Sequence, residues 1–183
     1  GGQGGPALRP ADTAVIIGAG GLGHIGIQVF KALSAARLIV IDRSPDALKL
    51  AADLGADQTI VADGSHVQQV LDLTDGNGAE AVIDFVGEGG ALEDGVAVLR
   101  RAGNYYVIGY GGTLSVPAID IISTEINFIG NLVGSYSDLV QLMVLAARGK
   151  VTLHTAQYPL TDFARALDDL DHGNVRGRAI LIP

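Results

Sequence analysis

The chain has 183 residues, 48% of them hydrophobic and 17% charged, with a formal net charge of −8 and no cysteine. A chain of this length hides about 70% of the surface its unfolded form exposes, no apolar run approaches the about 20 residues that cross a bilayer, and dispersed Lys and Arg in an acidic chain give no basic field for nucleic acid. The lack of cysteine removes disulfides, thiolate zinc ligands and thiol nucleophiles together, so the expectation is a soluble, cytoplasmic protein with neither membrane nor nucleic acid as partner.

The opening Gly-Gly-Gln-Gly-Gly-Pro lacks the pattern of a signal peptide and reads as a flexible linker or scar, which puts residues 1–11 outside the fold and the first folded residue near Asp12. Thr13–Gly18 is the first strand. A helix follows from about Gly21 to Ala35, with Leu22, Ile25, Val29 and Leu33 as a stripe at helical spacing. Arg37–Asp42 is the second strand, its Leu-Ile-Val-Ile centre continuously apolar as in a sheet covered on both faces.

Ser44 and Pro45 open a second helix that stops at Gly55. The strand Gln58–Val61, a helix near Ser65–Leu73 and the turn Asp75-Gly76-Asn77-Gly78 come next. Ala81–Phe85 is the fourth strand, Ala91–Arg101 the fourth helix, Tyr105–Gly109 the fifth strand, Ile126–Gly130 the sixth, and Ser137–Arg148 a closing helix. The alternation is that of an α/β protein with a doubly wound, six-stranded parallel sheet over residues 12–150. Residues 151–183 form a strand-helix-strand appendage: an extended segment ending at Tyr158-Pro159, a helix from Asp162 to Leu170 and a last strand Arg178–Ile182.

The stretch "GAGGLGHIG", residues 18–26, sits between the first strand and the first helix. Gly18 permits the sharp turn, Gly20 lets a pyrophosphate approach the backbone, and Gly23 lets the helix pack close to the sheet. The amides and dipole of the first helical turn then face the phosphates. Asp42 lies nineteen residues beyond Gly23 at the end of the second strand, where a carboxylate accepts both ribose hydroxyls of an adenosine. That carboxylate would repel the 2′-phosphate of NADP, so NAD is the expected cofactor, with the neighbouring Arg43 stacked on the adenine or solvated. A tight turn that has lost its ligand is the plain alternative.

"VIIGAGGLGHIGIQ", "ADLGADQTI", "GAEAVIDFVG", Gly109-Tyr110-Gly111-Gly112 and the closing "GNVRGRAILIP" together resemble the C-terminal part of a zinc-dependent, medium-chain alcohol dehydrogenase of the bacterial secondary-alcohol type, over about residues 8 to 183. The resemblance implies a Rossmann domain and a C-terminal segment that returns to an N-terminal, GroES-like catalytic domain absent from this chain. It further implies that Gly20-Gly21-Leu22-Gly23 carry the pyrophosphate, that Asp42 and Arg43 meet the adenosine ribose, and that Phe85 and Val86 lie beside the adenine and its ribose. Ile108, Gly109 and Tyr110 would line the nicotinamide and its ribose, the backbone of Asn131, Leu132 and Val133 would meet the carboxamide, and Arg178 would reach the pyrophosphate. The family's dimers pair along the sixth-strand edge, so a homo-oligomer is expected.

In the resembled family every catalytic zinc ligand precedes the Rossmann domain, whereas a catalytic zinc needs three protein ligands and an open fourth position. The histidines here, His24, His66, His154 and His172, include no pair at i,i+4 and no cluster at ligand spacing. His24 is expected to pack or cap beside the glycine loop, and the other three to lie at ordinary surface positions. Asp84, at the tip of the fourth strand, is expected to accept loop amides, and Asp168, Asp169 and Asp171 to form a solvated helix end. No G-x-S-x-G nucleophile elbow occurs.

The expected function is therefore the NAD(H)-binding portion of a zinc-dependent alcohol dehydrogenase, inactive as this chain alone. A self-standing dinucleotide-binding or assembly module is the alternative, and a methyltransferase a weaker one. The tail from Val151 to Pro183 is expected to take a different position, or greater mobility, than in a full-length relative.

Overall fold

The computed structural model describes residues 8–183. The linker expected at residues 1–11 therefore lies mainly outside the described residues. The fold begins earlier than Asp12: Leu8 packs against the core, and Arg9 to Asp12 close a turn in which the Asp12 carboxylate accepts from the Arg9 N–H at 2.7 Å.

The strands β1 (Thr13–Ile17), β2 (Arg37–Asp42), β3 (Gln58–Val61), β4 (Ala79–Asp84), β5 (Leu99–Val107) and β6 (Asn127–Gly130) form one parallel sheet in the order β3-β2-β1-β4-β5-β6. Alternate residues face opposite layers. Val15, Ile17, Ile39, Ile41, Val82 and Tyr105 pack under α3 (His66–Leu73) and α4 (Ala91–Ala97). Ala14, Ile16, Leu38, Val40 and Ala81 pack under α1 (Gly23–Leu33) and α2 (Pro45–Asp53). The strand order reverses between β1 and β4, and the carboxyl ends of those two strands open the crevice where such sheets bind ligands.

Helix α1 has the expected period with a different phase. Gly23, Ile27 and Phe30 are buried, whereas Leu22 is 53% and Leu33 72% exposed. The glycine loop sets this rotation: a Cβ at Gly23 would stand 1.9 Å from the Gly18 carbonyl oxygen, so that side of the helix must rest on the turn. The fourth helix ends at Ala97, short of the expected Arg101. The Ala79 N–H donates to the Val98 carbonyl at 2.8 Å and Leu99 pairs with Ala79, so sheet pairing captures the chain at Leu99, and β5 ends at Val107, where the expected strand was Tyr105–Gly109. A short α5 (Ala118–Thr124), which the sequence reading did not contain, precedes β6. Helix α6 (Tyr136–Ala147) starts at a capping box in which Ser135 and Asp138 exchange hydrogen bonds.

The appendage is β7 (Thr155–Pro159), α7 (Phe163–Asp171) and β8 (Arg178–Ile182), the two strands pairing in parallel as a separate sheet. Buried Gln28 on α1 ties it down: its Nε2 donates to the Thr152 carbonyl at 2.9 Å and its Oε1 accepts from the Thr152 N–H at 2.7 Å.

Candidate functional site

Gly18 leaves β1 at φ +92°, a conformation that a side chain opposes, and a Cβ there would come within 2.7 Å of Val86 Cγ2. A Cβ at Gly20 would meet nothing within 4 Å. Gly18 and Gly23 are thus glycines because the protein fills their surroundings, while Gly20 faces open space into which a ligand can bring its own atoms. The loop delivers the chain into α1; the His24, Ile25 and Gly26 amides already donate to the Gly20 and Leu22 carbonyls, so the Gly21, Leu22 and Gly23 amides and the helix dipole are what favour an anion. Gly26, two residues beyond His24, is also a contact glycine: a Cβ there would lie 2.5 Å from Phe85 Cζ.

The Asp42 carboxylate accepts from the Ala19 N–H through Oδ2 and from the Ser44 N–H through Oδ1, both at 2.7 Å. It therefore fixes the glycine loop to the start of α2 while remaining only half-buried. Across the loop, Arg178 of β8 donates to the Gly21 carbonyl at 3.3 Å. The glycine loop, Asp42, Val86 and Arg178 line one cavity of about 530 Å³. A second cavity of about 310 Å³ adjoins it, with Asp42, Arg43, Ala62, His66, Gly89 and Asp94 among its walls.

Phe85 and Val86 part company. Val86 lines both cavities, but the Phe85 ring packs under α1 against Gly26 and, of these two cavities, lines the glycine-loop one alone. Arg43 is held by the Gly89 carbonyl, to which its Nη2 donates at 2.8 Å. Ile108, Gly109 and Tyr110 after β5, and Asn131 and Val133 after β6, lie on the same carboxyl edge of the sheet but line neither of these cavities. Gly87 and Gly109 bring their loops into backbone contact, since a Cβ on Gly87 would stand 2.2 Å from the Gly109 carbonyl carbon. Val133 is 91% exposed and adopts φ +48°, an unusual conformation for a β-branched residue.

Asp84 is fully buried and is an acceptor for loop amides, taking the N–H groups of Val86 and Gly87 at 2.8 and 2.9 Å and the Tyr105 hydroxyl at 2.8 Å. Burial, with the Asp84 carboxylate next, pushes the Tyr105 phenol far above its ordinary range.

His24 packs beside the glycine loop as the sequence reading expects, whereas His66 and His154 differ from it. His24 is fully buried; its Nδ1 lies 2.9 Å from the Gly20 carbonyl, and its Nε2 accepts from the His154 N–H at 3.3 Å, which places the ring proton on Nδ1. Burial depresses its basicity, the Gly20 carbonyl opposes that effect, and His154 and Arg178 add to it. His154 is half-buried, edge-on to His24 with ring centres 5.9 Å apart. His66, expected in solvent, is 6% exposed and holds Asp94 at 2.9 Å. No local signal in the sequence links His66 to Asp94. Among the described residues no three His, Cys, Asp or Glu side chains gather where a metal ion could be held, so the residues here do not fit a zinc site.

The sequence model of the zinc-binding dehydrogenases matches residues 21–148. An NAD-dependent alcohol dehydrogenase of Sulfurisphaera tokodaii is 39% identical over 97% of this chain and 52% of its own length. A D-arabinose 1-dehydrogenase (NADP(+)) of Saccharolobus solfataricus is 33% identical over 94% of the chain and 50% of its own. The crystal structure of the alcohol dehydrogenase of Aeropyrum pernix superposes with a TM-score of 0.94 and 41% identity over 96% of this chain and 51% of that one. That superposition takes in most of the tail, so the displacement expected of Val151–Pro183 is not found. The chain spans about half the length of the relatives it matches. The family model covers well over half of the chain, and the fold and glycine turn agree with it: the chain belongs to the zinc-binding dehydrogenase family.

Proposed function

We propose that this chain is the NAD(H)-binding half of an alcohol dehydrogenase. One observation carries the reading: the glycine loop, Asp42 and Arg178, distant in sequence, line a single cavity at the point where the strand order reverses. The loop amides and Arg178 would hold the pyrophosphate, Asp42 the ribose hydroxyls of the adenosine, and Val86 and Arg43 the sides of the adenine, with Phe85 supporting the loop from beneath. Ile108, Gly109, Tyr110, Asn131 and Val133 would receive the nicotinamide end. The cofactor, when bound, supplies the hydride acceptor or donor; the residues of this chain bind and orient it.

The relatives' names include both NAD and NADP(+) users, and Asp42 decides between them here. A 2′-phosphate would face a carboxylate already anchored by two backbone amides, and Arg43, the cation that could relieve it, is engaged by Gly89. In this reading residues 12–150 form the cofactor domain and 151–183 a segment that joins it to a catalytic domain carrying the zinc ligands. The exposed β6 edge pairs with a second copy to form a dimer, and the working location is the cytoplasm.

Titration calorimetry with NAD, NADH and NADP tests the assignment, alongside alcohol oxidation and zinc content. NAD binding without turnover is the expected result. Tighter binding of NADP than of NAD would refute the role given to Asp42, and stoichiometric zinc with turnover would refute the division between cofactor and catalytic halves.

A further inference from the structure

We propose that the pocket beside Asp42 reads the base of its ligand, with the His66–Asp94 pair presenting a carboxylate oxygen to the exocyclic amine of an adenine. The proposal rests on the cofactor reading above and adds to it the means by which one purine is told from another.

The cavity of about 310 Å³ has Ile17, Ile41, Ala62, Val86 and Ala91 as apolar walls and Asp42 at its junction with the glycine-loop cavity. Apolar walls hold a flat ring but do not distinguish bases; a polar group with an unused hydrogen-bonding position does. Asp94 is such a group. The Gly64 N–H donates to His66 Nδ1 at 3.2 Å, so the ring proton sits on Nε2 and is donated to Asp94 Oδ2 at 2.9 Å. Among the described residues Asp94 Oδ1 accepts no hydrogen bond.

Two further features keep it available. Arg43, the cation in the same pocket, is occupied by the Gly89 carbonyl at 2.8 Å, and the Asp94 side chain retains 38% of its exposure. Gly89 preserves that arrangement, because a Cβ there would stand 2.3 Å from Arg43 Nη2. Burying His66 to orient a partly exposed aspartate has no counterpart in packing alone, since an aliphatic residue would fill the space without requiring two polar partners.

Adenine offers a donor at its exocyclic nitrogen. Hypoxanthine places a carbonyl oxygen there, which would face the Asp94 carboxylate acceptor to acceptor. Calorimetry on the full chain with NAD and with nicotinamide hypoxanthine dinucleotide is the direct comparison. NAD is expected to bind at least about tenfold more tightly. In Asp94→Asn, whose amide can donate to a carbonyl, the difference is expected to shrink to about threefold or less. A readout that needs no variant is the proton resonance of His66 Nε2–H, expected to move on adding NAD and to move less with the hypoxanthine analogue. Equal affinities for the two dinucleotides in the unaltered chain would overturn the base reading while leaving the cofactor reading intact. Undiminished discrimination in a folded Asp94→Asn chain, or a His66 resonance unmoved by NAD, would overturn the role of this pair; failure of both dinucleotides to bind would overturn both readings.

Discussion

Replacing Asp42 with alanine should damage the fold and the binding site by separable amounts. The carboxylate accepts from the Ala19 and Ser44 amides at 2.7 Å, and Ala19 is 1% exposed. In Asp42→Ala the Ala19 N–H loses its acceptor where water reaches it poorly, at a cost of about 1–3 kcal/mol. Ser44 is more accessible, recovers water and adds less. A net loss of about 2–3 kcal/mol corresponds, for a chain of this size, to a fall in Tm of about 4–12 °C. On the binding side, removing the charged acceptor for the ribose hydroxyls costs about 1.5–3 kcal/mol, which is about ten- to a hundredfold in Kd. Asp42→Asn keeps one carbonyl oxygen and turns an amide group toward the other N–H, so it should fall between. Circular-dichroism melts read the first effect and calorimetry with NAD the second. If Asp42→Ala melts at the unaltered temperature and binds NAD within about twofold of the original, Asp42 neither braces the loop nor meets the ribose.

The glycines predict opposite separations. Gly23→Ala forces α1 away from the Gly18 carbonyl and should cost about 1–3 kcal/mol of stability by overpacking, whereas Gly20→Ala, facing open space, should melt normally yet lose NAD affinity; an unaltered affinity in Gly20→Ala would contradict the cradle. Tyr105→Phe removes the hydroxyl that donates to buried Asp84 Oδ2 and should lower the unfolding free energy by about 1–3 kcal/mol, read as a smaller midpoint in urea. His24 has a native pKa below its ordinary 6.5 because burial disfavours the imidazolium. The unfolded chain therefore binds the proton more readily, and the stability contributed by neutral His24 is complete above about pH 6.5 and lost as pH falls through the depressed native value. His154 and Arg178 face it and carry or can carry like charge. A stability profile whose slope below pH 6.5 is the same in His24→Gln as in the unaltered chain would refute this.

What the sequence made legible was whatever is written locally. Although β5 begins at Leu99 and not at Tyr105, the strands β1, β2, β3 and β6, the Ser44-Pro45 cap and the glycine turn each carry their signal within a few residues and appear where expected. The phase of α1 did not, because it depends on a contact between Gly23 and Gly18 that the pattern of leucines contradicts. The end of α4 was misplaced for a related reason: the Val98 carbonyl is claimed by Ala79, a partner on another strand. His66 and Asp94 lie 28 positions apart and come together only when α3 and α4 share a face of the sheet. Spacing therefore revealed the candidate residues of one loop and concealed a pair assembled by topology.

The finished and unfinished parts of this surface divide along the sheet. Around β1, β2 and β4 every loop is braced: Asp42 holds Ala19 and Ser44, Asp84 holds Val86 and Gly87, and His24 links Gly20 to His154. Beyond β5 and β6 the opposite holds, with Tyr110 at 92%, Leu132 at 90% and Val133 at 91% exposure. Val133 also keeps a left-handed backbone, which costs about 1–3 kcal/mol and persists where surroundings enforce it. The adenosine and pyrophosphate end of the proposed cofactor site is thus built from this chain's own hydrogen bonds, while the residues that the reading gives to the nicotinamide end include large exposed side chains at Tyr110 and Val133.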